Sequence, residues 1–179
     1  MSDILFKICI FGDGGVGKTT LVNRYLTGVF HEGTKMTIGI DFHIKNLLIE
    51  GKTVTLQIWD FAGEDHFRFL LPSYVRGSSG GVFMYDITRE SSLSNLPNWK
   101  EVLKENIESK IPLIMVGGKL DLDDRRIIPK DIAMDIAKAN DFYAFVECSA
   151  KDGKNVEIIF ITLARAMMES ANLISHNLI

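Results

Sequence analysis

Only two cysteines occur in the 179 residues, Cys9 and Cys148, and both sit in apolar runs of the kind that form buried strands. Such cysteines serve as small hydrophobes, so no disulfide framework is expected. Basic charge is also scarce: 20 Lys and Arg against 23 Asp and Glu give a net charge of −3, which leaves no cationic surplus to meet a nucleic-acid backbone. No apolar stretch is long enough to span a bilayer, and no signal-type leader opens the chain. The sequence ends Ser175-His176-Asn177-Leu178-Ile179 without a cysteine or a basic run, and Ser2 rather than glycine follows Met1. Neither prenylation nor N-myristoylation is expected from these ends. These absences lead to the expectation of a cytoplasmic, monomeric protein without a nucleic-acid partner or lipid anchor. It would meet a membrane only through a partner or through a tail beyond this sequence.

What is present is the composition of one ordinary domain, 46% hydrophobic and 24% charged. Apolar runs suited to buried strands recur at 4–11, 54–60, 80–86, 111–117 and 143–148. A turn at Glu50-Gly51-Lys52 between β-rich stretches marks a hairpin, and hence one antiparallel strand. Helical patterns fall at 17–28, 91–108, 129–140 and 153–170, with Pro129 suited to a first turn. In the last of these, Val156, Ile159, Phe160, Leu163, Ala164 and Met167 recur at helical spacing and read as a core stripe. The fold class expected is α/β, a mostly parallel six-stranded sheet with one antiparallel strand and helices on both faces. It occupies residues 1–170, and 171–179 form a short, loose tail.

Directly after the first apolar run, Gly12 to Thr19 read Gly-Asp-Gly-Gly-Val-Gly-Lys-Thr, a complete G-x-x-x-x-G-K-S/T phosphate loop. Backbone N–H groups of such a loop converge on phosphate oxygens, the following helix adds its positive dipole end, and the lysine adds a charge. The loop alone does not choose among an ATPase, a small-molecule kinase and a GTPase. Three further segments each follow an apolar strand: Trp59-Asp60-Phe61-Ala62-Gly63-Glu64, Val116-Gly117-Gly118-Lys119-Leu120-Asp121 and Glu147-Cys148-Ser149-Ala150-Lys151. On its own, Asp60 reads equally as a turn former or as a carboxylate for a hydrated magnesium ion.

With these segments the chain resembles the Ras-like small GTPases over about residues 4 to 170. Ile38-Gly39-Ile40-Asp41-Phe42, Leu56-Gln57-Ile58-Trp59-Asp60, Tyr74-Val75-Arg76-Gly77 and Tyr85-Asp86-Ile87-Thr88 are most similar to the Rab branch. The resemblance implies a G domain of the P-loop class that binds GTP or GDP with Mg²⁺. It implies that Gly14, Gly15, Val16, Gly17, Lys18, Thr19 and Thr20 hold the phosphates, and that Thr19, Thr37 and, through water, Asp60 hold Mg²⁺. Thr37 and Gly63 would contact the γ-phosphate, while Phe30, Lys119, Asp121, Ser149, Ala150 and Lys151 would bind the guanine nucleotide. Catalysis would fall to Glu64, Lys18 and the Gly63 N–H. Phe42, Trp59 and Tyr74 match an aromatic triad exposed to effectors, and an exchange factor and an activating protein are implied as partners.

Three positions depart from the resemblance. Glu64 stands where a glutamine usually orients the attacking water, and an ionised carboxylate cannot donate a hydrogen bond. Gly118 replaces the asparagine that bonds the base and ties its loop to the phosphate loop, so faster nucleotide release is expected. Phe61 replaces a threonine, either filling a gap in the core or altering how the neighbouring loop repacks. The reading is a Rab-like small GTPase that hydrolyses GTP slowly and acts in membrane trafficking or signalling. The alternative is a GTP-binding module with little hydrolysis, serving as a constitutive effector-binding protein.

Overall fold

Strand-forming runs whose two faces are both apolar must be covered on both sides, and the chain solves this with a central sheet between two helical layers. The computed structural model describes residues 4–33, 38–61 and 70–175. The strands are β1 (Ile4–Phe11), β2 (Ile40–Ile49), β3 (Lys52–Phe61), β4 (Gly80–Asp86), β5 (Leu113–Gly118) and β6 (Ala144–Glu147). Their order in the sheet is β2-β3-β1-β4-β5-β6, all parallel except β2. The β2–β3 hairpin closes through Glu50 and Gly51, both at positive φ (49° and 74°), between paired Ile49 and Lys52. Positive φ at both turn positions is the geometry that matches strand twist.

Alternation along β1 shows how one strand serves two cores. Ile8 and Ile10 face a cluster built with Leu21 and Val22 of α1 (Lys18–Thr27) and Ile159, Phe160 and Leu163 of α6 (Val156–Ser170). Cys9 and Phe11 face the opposite cluster, with Leu96, Trp99 and Leu103 of α4 (Leu96–Asn106) and Ala133 and Ala137 of α5 (Lys130–Ala139). All six residues of the α6 stripe are buried as the periodicity requires, and Cys9 and Cys148 are buried thiols without a disulfide. Among the described residues no helix is long and apolar enough to cross a membrane.

Several boundaries differ from the sequence reading. The helix expected over 91–108 is broken at Asn95 into α3 (Glu90–Ser94) and α4, because Pro97 lacks the N–H that a continuous helix would need. Pro129 is extended and precedes α5 instead of lying in its first turn. The last helix starts at Val156, since Gly153 and Asn155 both take positive φ. A short α2 (Leu71–Val75) is an addition, held by buried Leu71 and Val75 one turn apart. Phe61 is buried in the same cluster as these two, and the neighbouring loop whose altered repacking was the alternative expectation lies outside the described residues. The tail is not loose throughout: Leu173 and Ile174 pack against the core, and Lys52 Nζ donates to the Leu173 carbonyl.

Parallel pairing sets Ile10 opposite Asp60, Phe11 opposite Phe83, and Asp86 opposite Gly118. The carboxyl ends of β1, β3, β4 and β5 therefore open on one edge, where their loops meet. Leu163→Ala is expected to lower stability by about 2–5 kcal/mol, since it empties a fully buried site between α6 and the sheet. Urea unfolding should show a lower midpoint with an unchanged slope.

Candidate functional site

The phosphate loop owes its shape to glycines and to an outside brace. Gly12, Gly15 and Gly17 take φ of 138°, 74° and 104°. At Gly12 a Cβ would lie 2.1 Å from the Met84 carbonyl oxygen, so the loop leaves β1 with its backbone directly against β4. Asp13 then turns away from the loop: its carboxylate accepts hydrogen bonds from Asn95 Nδ2 (3.1 and 3.0 Å) and Trp99 Nε1 (2.8 Å). Arg89 Nη2 donates to the Gly14 carbonyl at 2.6 Å. In a trans peptide the next N–H points opposite to the carbonyl, so this bond directs the Gly15 N–H away from Arg89.

Lys18 is buried at the foot of the loop and donates to the carbonyls of Gly12 (2.8 Å) and Asp13 (2.7 Å). Burial pulls its ammonium down to about 8, against the opposing pull of Asp60 and Asp13. Asp60, at the end of β3, is fully buried and accepts a 2.5 Å hydrogen bond from the Thr19 hydroxyl. Burial raises its carboxyl to about 6 despite Thr19 and Lys18. Its Oδ1 makes no hydrogen bond among the described residues. A buried carboxylate oxygen without a donor, beside a hydroxyl, is the hard-oxygen chemistry a hydrated Mg²⁺ takes. No group of three or more His, Cys, Asp or Glu side chains gathers for a metal among the described residues. Thr37, Gly63 and Glu64 lie outside the described residues.

Beside the loop opens a cavity of about 280 Å³, lined by Val16, Gly17, Thr20, Phe30, Lys119, Asp121, Ala150 and Lys151. The sequence reading picked all eight. Asp121 accepts from the Ser149 hydroxyl (2.9 Å), which in turn accepts from the Asp152 N–H (3.0 Å). Leu120 N–H donates to the Cys148 carbonyl, joining the two segments that carry these residues. Lys119 sits at φ 65° and pairs with Asp86 at 2.6 Å. Burial alone would raise the Asp86 carboxyl, but hydrogen bonds from Lys119 and Thr88 outweigh it and hold the group below its ordinary value.

Residues the sequence reading passed over also shape the site. Glu32, Met84 and Leu122 line the cavity, and Arg89, Asn95 and Trp99 brace the loop. Asp86 stood at the end of an apolar run, as Asp60 did, and that signal could have marked it. Met84 lies inside such a run, where nothing distinguishes it from core.

On the far side of β3 the three aromatics do meet. Phe42 packs on Trp59 at 4.9 Å between ring centroids, Trp59 on Tyr74 at 5.4 Å, and Lys7 Nζ lies 4.9 Å from the Trp59 ring. Phe42 is 45% and Tyr74 36% exposed, with Trp59 half-buried between them.

A parallel α/β sheet with a glycine loop, a buried lysine and a hydroxyl–carboxylate pair at one edge defines a P-loop nucleotide-binding domain. Residues 7–169 match the Ras family, and the chain belongs to it. It is 42% identical over 169 residues to "Ras-related protein Rab-30" of Homo sapiens, covering 94% of this chain and 83% of the relative. It is 41% identical over 168 residues to "GTP-binding protein YPT1" of Saccharomyces cerevisiae, covering 94% and 81%. It is also 41% identical over 174 residues to "Ras-related protein Rab-8B" of Homo sapiens, covering 95% and 82%. The domain is a Rab-like small GTPase.

Gly12→Ala is expected to destabilise the protein by at least about 2 kcal/mol, because backbone must move away from backbone. Chemical denaturation measures it. The Asp86–Lys119 pair gives a pH signature. A depressed folded pKa contributes stability above the unfolded value, near 3.8, and that contribution is lost as pH falls through the folded value. The stability gap between the unaltered protein and Asp86→Asn should therefore be full at pH 7 and shrink on acidification below about 4, as read from urea midpoints across pH.

Proposed function

We propose that the carboxyl edge of the sheet binds GTP and GDP with Mg²⁺ and hydrolyses GTP slowly, so that the protein works as a nucleotide-dependent switch. The observation that carries this reading is one continuous site: the cavity bearing Lys119, Asp121 and Ala150 opens beside Gly17 and Thr20 of the phosphate loop and its helix. The pair Thr19–Asp60 lies at the same end of that loop, Thr19 falling between Gly17 and Thr20 in the chain.

In this reading the Asp121 carboxylate accepts from the two N–H donors of guanine, which adenine lacks, while Ser149 and the Asp152 N–H behind it fix its orientation. Leaving the carboxylate unpaired against adenine would cost a few kcal/mol. Phe30 stacks at the base edge, and Lys119, held by Asp86, lies along its face. Lys18 exchanges its carbonyl partners for phosphate oxygens, and the N–H groups from Gly14 to Thr19 complete the cradle. Thr19, Thr37 and Asp60 would hold Mg²⁺, which when bound neutralises charge on the transferring phosphoryl group. Glu64 would position or deprotonate the attacking water, with the Gly63 N–H and Lys18 stabilising the departing phosphate. Loss of the γ-phosphate frees Thr37 and Gly63 together, and the segments that carry them change state.

The surface reporting that state is assigned to Phe42, Trp59 and Tyr74, which flank β3 below Asp60. Large aromatics packed on one another, with a lysine over the central ring, anchor an interface of the effector-binding kind. Partners of the exchange-factor and activating classes follow from the switch role, in membrane trafficking or signalling.

Three results test this. In a single-turnover assay, protein loaded with GTP and Mg²⁺ should convert it to GDP, and GTP that persists indefinitely would leave a binding module instead of an enzyme. Lys18→Ala should weaken nucleotide binding by about tenfold to a hundredfold or more, measured by displacement of fluorescent GDP. ATP should fail to displace that probe from the unaltered protein and should gain ground in Asp121→Ala; preferential ATP binding would defeat the reading.

A further inference from the structure

Gly118 ends β5 at the rim of the base cavity. A Cβ there would lie 2.3 Å from Met84 Cε, 3.2 Å from the Val16 carbonyl oxygen and 3.4 Å from that of Tyr85. The Met84 methyl thus already occupies the space a side chain at 118 needs. The same methyl lies 3.6 Å from the Cβ position of Gly17. Met84 is buried, and it also lines the cavity between Gly17 and Lys119. One methyl group therefore bridges the end of the phosphate loop and the start of the segment bearing Lys119 and Asp121.

We propose that Met84 is a positioning residue for nucleotide retention, matched to Gly118: its thioether joins the phosphate and base segments by packing, in the space where a side chain at 118 would join them by hydrogen bonding. The inference rests on the guanine-nucleotide reading of the cavity and adds the residue that sets how long the nucleotide stays. A thioether is flexible and its contacts are not directional, so it keeps the two segments close without fixing their orientation as a hydrogen bond does. Any added atom at 118 must push the Met84 methyl aside. Core surrounds Met84 on its other sides, with Val116 opposite it on β5, so the free direction is into the cavity that the base would fill.

The pairing makes the effects of two substitutions depend on each other. Release of fluorescent GDP in Mg²⁺ would be timed for the unaltered protein, Met84→Val, Gly118→Ala, the Met84→Val/Gly118→Ala double variant and Met84→Val/Gly118→Asn. Each single change should speed release, by about threefold to tenfold. The alanine double variant should return to within about twofold of the unaltered rate, because the new methyl fills the space the thioether has left. Met84→Val/Gly118→Asn should release more slowly than the unaltered protein, its amide now able to donate to the Val16 carbonyl. A double variant whose rate is the product of the singles, or Gly118→Ala with an unchanged rate, overturns the proposal. If Gly118→Ala is too unstable to load, the melting temperatures of the nucleotide-free set carry the same comparison: additive shifts overturn the pairing, and compensating shifts support it. Failure of the unaltered protein to take up GDP overturns the nucleotide reading and this inference together, whereas additivity in a protein that loads overturns this inference alone.

Discussion

The site depends on the meeting of two backbones, where Gly12 leaves β1 against the Met84 carbonyl of β4. With no room for a side chain there, the loop must turn sharply, and its direction is then set from outside by Asn95, Trp99 and Arg89. The polar brace comes from the junction of α3 and α4 and the residue just before α3. Pro97 has no N–H to donate to Leu93, so the helix restarts beside Asn95, whose side chain and that of Trp99 both reach Asp13. Side chains on the α3–α4 segment thus position a loop that belongs to a different element.

The two halves of the edge are held by different forces. On the phosphate side, Lys18 and Asp60 are ionisable groups taken out of water: Lys18 is held by two carbonyls, and one oxygen of Asp60 has no donor among the described residues. On the base side, Asp86 holds Lys119 and Ser149 holds one oxygen of Asp121, so the rim is oriented by its own hydrogen bonds and ion pair. Charge left partly unmatched marks where a ligand brings its own charge. A rim oriented by its own bonds marks where the protein presents a fixed pattern to be read.

Much of this was legible in the residues. The five apolar runs fell on strands because both faces of a central sheet are buried, and the α6 stripe could be read because helical period and burial agree there. The phosphate loop and the residues from Lys119 to Lys151 were legible because short segments with special chemistry followed strand ends, and parallel pairing gathers those ends on one edge. Arg89, Asn95 and Trp99 were not, since what they do depends on distances across 75 to 86 positions of chain that no local pattern encodes. Met84 was hidden for another reason: its identity looks like core, and its role shows only against the missing side chain at Gly118. The packing of Leu173 and Ile174 escaped because two apolar residues have no period.

The Asp60 oxygen that has no donor among the described residues reaches beyond the site itself. A folded protein that encloses a carboxylate with one acceptor unfilled is less stable empty than loaded, and any ligand that binds only the folded form stabilises it by mass action. Occupancy and folding then become a single equilibrium. In a cell, the fraction of chains exposed to proteases would rise whenever the supply of ligand falls, so the amount of this protein would itself be a record of how well it is kept filled.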